Sequence, residues 1–147
     1  MTIGDTRPAM SQERVDLLNR WRESWGRQDA EATAACLHRD VVIDFSAARG
    51  PFKGVYRGPA EIVAFLKSLW EAWDEARIEF DEVVDGGDGR IITVNVFHAQ
   101  GRSSGVQTLA RVANVWSFRD GLIHHAKLFQ SRDEAFEAAG LSPPTAG

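Results

Sequence analysis

Apolar residues recur at helical spacing in the first half of the chain and at alternate positions in the second. Leu17, Leu18, Trp21 and Trp25 form one stripe of a helix that Ser11 can cap and that runs to about Gly26. Asp29 can cap a shorter second helix through Leu37. Val41 to Ser46 reads as a strand. Gly58-Pro59 then opens a third helix, since proline at the first helical position sacrifices no hydrogen bond. Its buried stripe is Ile62, Leu66, Leu69 and Trp73. From Arg77 the period shortens to two. Ile78, Phe80 and Val84 mark a strand that stops at Gly86-Gly-Asp-Gly89, and Arg90 to Gln100 is the next, stopping at Gly101-Arg-Ser-Ser-Gly105. Val106 to Phe118 and Leu122 to Gln130 flank Asp120-Gly121, a strong tight-hairpin signal. Ser131-Arg-Asp-Glu134 has the form of a capping box and Gly140 that of a C-terminal cap, so a short helix ends the pattern.

Three helices with a strand among them, then four strands in hairpins, then a helix, define an α+β fold with an antiparallel sheet carrying its helices on one face. The expected organisation is one domain over residues 1–147, with a core of about 12–141 and frayed ends at 1–10 and 142–147. A long twisted sheet with helices on its concave side leaves a cleft between the two layers, where a ligand would sit.

Composition narrows the function. The 147 residues are 44% apolar and 26% charged, ordinary for a globular chain that can build a core without disulfides. Seventeen Lys and Arg against 21 Asp and Glu give a net charge of −4, and no basic run breaks the pattern. A nucleic-acid surface is therefore not expected. No apolar stretch is long enough to span a bilayer, and Met1 to Met10 lacks a hydrophobic signal core, so the expected location is the cytoplasm. The single cysteine, Cys36, has no partner for a disulfide and reads as a small core residue. Five Trp and eight Phe are many for this length, so an aromatic core or an aromatic-lined pocket is expected.

Polar residues on apolar strand faces are the candidates for chemistry, because burying them unpaired costs about 1–3 kcal/mol. His98 lies in a set with Ile92, Val94 and Val96; Asn114 lies in a set with Val112, Trp116 and Phe118. An imidazole exchanges a proton near neutral pH, and an amide NH2 donates to a developing oxyanion. Equally, both residues can be structural, satisfied by each other or by backbone groups. Asp44, on the face opposite Phe45, is either a base with a raised pKa or a residue that caps a turn or pairs with an arginine at the sheet edge. His124 and His125 diverge from adjacent strand positions, and no Cys/His cluster offers a metal site. Gly86-Gly-Asp-Gly89 precedes a strand, so it is a turn and not a phosphate loop.

Asp40-Val-Val-Ile-Asp44, Tyr56-Arg-Gly-Pro59 opening a helix, Val115-Trp-Ser-Phe-Arg-Asp-Gly121 and Glu134-Ala-Phe-Glu-Ala-Ala-Gly-Leu141 resemble the SnoaL-like branch of the nuclear-transport-factor-2-like superfamily. The resemblance spans about residues 12–141. It implies a curved antiparallel sheet wrapped around three N-terminal helices into a cone, commonly dimeric through the outer sheet face. Members include polyketide cyclases, ketosteroid isomerases, limonene-epoxide hydrolases, dehydratases and ligand binders. In the ketosteroid-isomerase pattern the basic Asp falls at Phe45, the Tyr at Trp21 and the oxyanion-binding Asp at Asn114. In the epoxide-hydrolase pattern the polar positions fall at Val96, His98, Leu128, Ile43 and Phe45. Each pattern keeps one polar group here, and these departures argue against both activities.

Two functions are expected from this reading. One is a cofactor-free isomerase, cyclase or dehydratase of a hydrophobic polyketide-, steroid- or terpenoid-like carbonyl compound. His98 would be its acid/base and Asn114 its oxyanion donor, with Trp21, Ile43, Phe45, Leu69, Trp116 and Leu128 lining the pocket. The other is a ligand-binding or scaffold protein with the same cone and no chemistry. Leu109, Val115 and Phe129 lie on the outer face, where a homodimer contact is expected.

Overall fold

Ser11 accepts the Arg14 backbone N–H at 3.4 Å and starts α1 (Gln12–Gly26). Asp29 Oδ1 accepts from Ala32 N at 3.0 Å and starts α2 (Ala30–Ala35). Pro59 opens α3 (Pro59–Ala72) behind Gly58, whose φ of 81° suits glycine. Ser131 starts α4 (Arg132–Ala138), accepting from Glu134 N at 3.2 Å while its hydroxyl donates to Glu134 Oε1 at 3.0 Å. This is a computed structural model; it describes residues 11–48, 53–102 and 104–141. The expected frayed ends lie outside the described residues.

The strands are β1 (Leu37–Phe45), β2 (Gly54–Arg57), β3 (Trp73–Gly87), β4 (Arg90–Gly101), β5 (Gln107–Arg119) and β6 (Leu122–Phe129). They form one curved, unclosed sheet in the order β2-β1-β6-β5-β4-β3. Asp88-Gly89 and Asp120-Gly121, all at positive φ, make the two-residue turns before β4 and β6.

α2 ends at Ala35 and β1 begins at Leu37, where the helix is expected to continue through Leu37 and the strand to start at Val41. Four larger features also differ from the sequence expectation. β2 pairs antiparallel with β1 at the sheet edge; its four residues are too few to show an alternating pattern. Trp73 begins β3 and does not end the α3 stripe; its ring packs edge-on against Phe97 at 5.9 Å, so burial is met from a strand. β1 and β6 run parallel, with Val42 opposite His125, so the sheet is not antiparallel throughout. Finally, α4 packs on the face opposite the other helices. Ala135, Phe136 and Ala139 cover Ile92, Ala113 and Val115 there, and Arg132 holds Glu82 through two bonds of 2.7 and 3.0 Å.

The main core lies between α1, α3 and the inner sheet face, where Leu18, Ile62, Ile91, Trp116 and Ile123 are buried. Trp21 stands edge-on to Trp116 at 5.1 Å, and Trp116 Nε1 donates to Thr93 Oγ1 at 2.8 Å. No helix among the described residues is long and apolar enough to cross a membrane.

Candidate functional site

Between α1, α3 and the inner sheet face the side chains leave a cavity of about 360 Å³. Trp21 and Trp25 of α1 and Ile62, Phe65, Leu66 and Leu69 of α3 form one wall. The sheet supplies Ile43 and Phe45 of β1, Ile78 of β3, Asn95 and Phe97 of β4, Ala110, Val112 and Asn114 of β5, and Leu128 of β6. At the rim Gln130 donates through Nε2 to the Ala47 carbonyl at 2.8 Å. The space comes from register. Strand pairing puts the small Ala110 opposite Phe97 and Val112 opposite Asn95, so the sheet wall is shallow where α1 and α3 arch over it.

Six of the eight residues singled out from the sequence border this cavity: Asn114, Trp21, Ile43, Phe45, Leu69 and Leu128. Trp116 does not; it lies in the core behind Trp21. His98 does not either. It stands opposite Leu109 on the outer face, with Nε2 at 3.5 Å from Glu79 Oε1. The reason is the pairing of β4 with β5. Odd positions of β4 face even positions of β5, so Asn114 shares its face with Thr93 and Asn95, and His98 belongs to the other side. Parity within a strand sorts its residues but does not match two strands to each other. Asn95 was missed for the same reason; once the hairpin register is known, an Asn two residues before the inward-facing Phe97 is its signal.

Among the described residues, no Asp, Glu, His, Lys, Arg, Cys or Tyr lines the cavity. Its polar groups are the Asn95, Asn114 and Gln130 amides and the indole N–H groups. Asn95 Oδ1, Asn114 Oδ1 and Trp21 Nε1 are buried with no hydrogen-bond partner.

The titratable groups lie elsewhere. Asp44 is on the outer face, where its Oδ1 accepts from Ser46 N at 2.9 Å and Lys127 Nζ stands 3.9 Å away. Hydrogen bonding from Ser46, helped by Lys127, holds its carboxyl below the ordinary value. Asp44 therefore caps a turn, the first of its two structural readings, and the cation beside it is a lysine rather than an arginine. His38 Nδ1 accepts from Asp40 N at 3.0 Å, its Nε2 faces Asp120 Oδ2 at 3.4 Å, and its ring meets His124 edge-on at 5.2 Å. Burial pushes the Cys36 thiol up. Among the described residues no group of three or more His, Cys, Asp or Glu is placed to hold a metal ion.

The profile of the SnoaL-like domain matches residues 18–126, and the chain belongs to that family. Among solved structures it is similar to Rv0760c of Mycobacterium tuberculosis, determined in complex with estradiol-17β-hemisuccinate. That match has a TM-score of 0.72 at 16% identity and covers 84% of this chain and 97% of the other. TerC, co-crystallised with polyporic acid, matches at a TM-score of 0.69 and 17% identity over 88% and 99% of the two chains. A protein with a ketosteroid isomerase-like fold from Catenulispora acidiphila, in complex with trimethylamine, matches at 0.69 and 13% over 86% and 93%. A sequence search of curated proteins finds no match.

Proposed function

We propose that this chain binds a neutral, hydrophobic small molecule inside the cone and that its own cavity side chains supply no acid–base chemistry. The observation that carries this is the lining: aromatic and aliphatic side chains, three amides and no titratable group among the described residues. An apolar cavity with a few convergent polar groups is the usual form of a small-molecule site. A cofactor-free isomerase, cyclase or dehydratase needs a positioned group to take and return a proton. With His98 beside Glu79 on the outer face, Asn114 is the one remaining member of the expected catalytic pair at the cavity. The ligands named for Rv0760c and TerC support a ring compound as the occupant.

The test is a thermal-shift screen of neutral ring compounds against the unaltered protein and Val112→Trp, which fills the cavity. A ligand at a hundred times its Kd adds about 2.7 kcal/mol, a rise in Tm of roughly 5–10 °C for a chain of this size. We expect such a shift in the unaltered protein and its loss in Val112→Trp. Equal shifts in both place the ligand elsewhere.

We also propose a homodimer through the outer sheet face. Leu109 is 69% exposed there, flanked by the Arg111–Asp81 pair at 2.6 Å and by Arg77 with Glu79. Charges of both signs around one apolar residue suit a self-complementary contact.

A further inference from the structure

β5 outruns one of its neighbours. Its pairing with β6 stops at Ala113 opposite Phe129, where the chain turns off towards α4, while its pairing with β4 runs on to Gln107 opposite Gln100. One edge of residues 107–112 therefore has no strand beside it, and among the described residues no other backbone group bonds to it. An open edge is a template for a further strand, and sheets usually guard theirs. The two outermost edges are guarded. β2 has only four residues, and β3 shifts register three times and carries Glu75, Arg77, Glu79 and Asp81. The open stretch of β5 has neither device. Its ladder with β4 is unbroken, Arg111 is its one charge, Leu109 is 69% exposed, and Val106 just before the strand is 60% exposed.

The sequence of this edge suits a copy of itself. Val106-Gln-Thr-Leu-Ala-Arg-Val112 is symmetric in kind about Leu109, with a valine at each end, a polar residue inside it and then a small one. Antiparallel pairing about a two-fold axis at Leu109 sets Leu109 against Leu109 and Val106 against Val112. It sets Thr108 against Ala110 and Gln107 against Arg111, so no two like charges face each other. Leu109 and the other odd positions lie on the outer face, and the even positions share the cavity face with Ala110 and Val112.

Resting on the homodimer reading above, we propose that two copies join along this edge, β5 against β5 in antiparallel register centred on Leu109, into one continuous sheet. Leu109 meets its counterpart on the outer face, and Thr108 of each copy stands beside the cavity-lining Ala110 of the other.

The experiment follows amide hydrogen exchange of the full chain by NMR, above and below the dimer dissociation constant given by sedimentation equilibrium. The amides of residues 107–112 that point away from β4 alternate along the strand and number about three. Their exchange should slow about tenfold or more in the dimer and recover on dilution. Gln107→Lys sets a second positive charge against Arg111 of the other copy and should weaken the dimer roughly three- to tenfold, whereas Gln107→Glu should tighten it. A dimer whose edge amides exchange as fast as the monomer's, or that responds alike to the two substitutions, overturns the edge pairing and leaves the homodimer reading standing. Protection that persists in the diluted monomer also overturns it, since the edge is then closed within one chain. A chain that stays monomeric removes both.

Discussion

Cys36 is buried, with its Sγ 3.6 Å from the Ala32 carbonyl, and burial raises its thiol above the ordinary value. The thiolate is the reactive species. Iodoacetamide at pH 8 should therefore label folded protein far more slowly than urea-unfolded protein; similar rates would mean that Cys36 is accessible. His125 is shifted the other way: burial lowers its pKa, His124 and Lys127 add to the lowering, and Asp44 opposes it. A histidine depressed in the folded state binds its proton first in the unfolded chain, so stability falls as pH drops below about 6.5. Urea unfolding between pH 8 and 5 should show that fall, and His125→Gln should flatten it. An unchanged slope would assign the acid sensitivity to other groups. At this scale the sequence was legible for Asn114 and for five apolar lining residues, because each stands out within its own strand or helix. Asn95 and His98 were not. Their faces depend on how β4 meets β5 across the turn after Gly101, which no alternation within one strand reports.

α4 is a short helix on the face away from the cavity, and its attachment is local to that face. Phe136 is 2% exposed against the cluster of Ile92, Ala113 and Val115. Phe136→Ala should cost about 3–5 kcal/mol in denaturant unfolding, the range for an aromatic removed from a core. Ser131→Ala, which removes the cap, should cost about 1 kcal/mol. Ligand binding in the cone should persist in both variants, because no α4 residue lines the cavity. Loss of binding in Phe136→Ala while the protein remains folded would couple the two faces. Caps and Asp-Gly turns were readable because each acts within four residues. The side of the sheet that α4 chooses was not, since the alternation of β5 leaves Val115 and Trp116 equally apolar on opposite faces. Val115 and Phe129, expected at a dimer contact, are packed against α4 instead.

Covering those residues concentrates the outer face on Leu109, which sharpens the assembly prediction. Sedimentation equilibrium at micromolar concentration should give a dimer, and Leu109→Arg should give a monomer with its Tm unchanged within a few degrees. A monomer from the unaltered chain removes the homodimer proposal and leaves the cavity untouched. The parallel pairing of β1 with β6 has a consequence for synthesis. Val42 meets His125, so β1, paired early with β2, finds its second neighbour only after β3 to β5 have been made. At about 5–20 residues per second, the intervening stretch takes roughly 4–17 s to emerge. Throughout that interval β1–β2 and β3–β5 are separate pieces of sheet, and the helical layer that packs on both lacks the strand that joins them. A ribosome stalled before β6 would thus display a greasy, half-assembled nascent chain, a ready target for a chaperone at the tunnel exit.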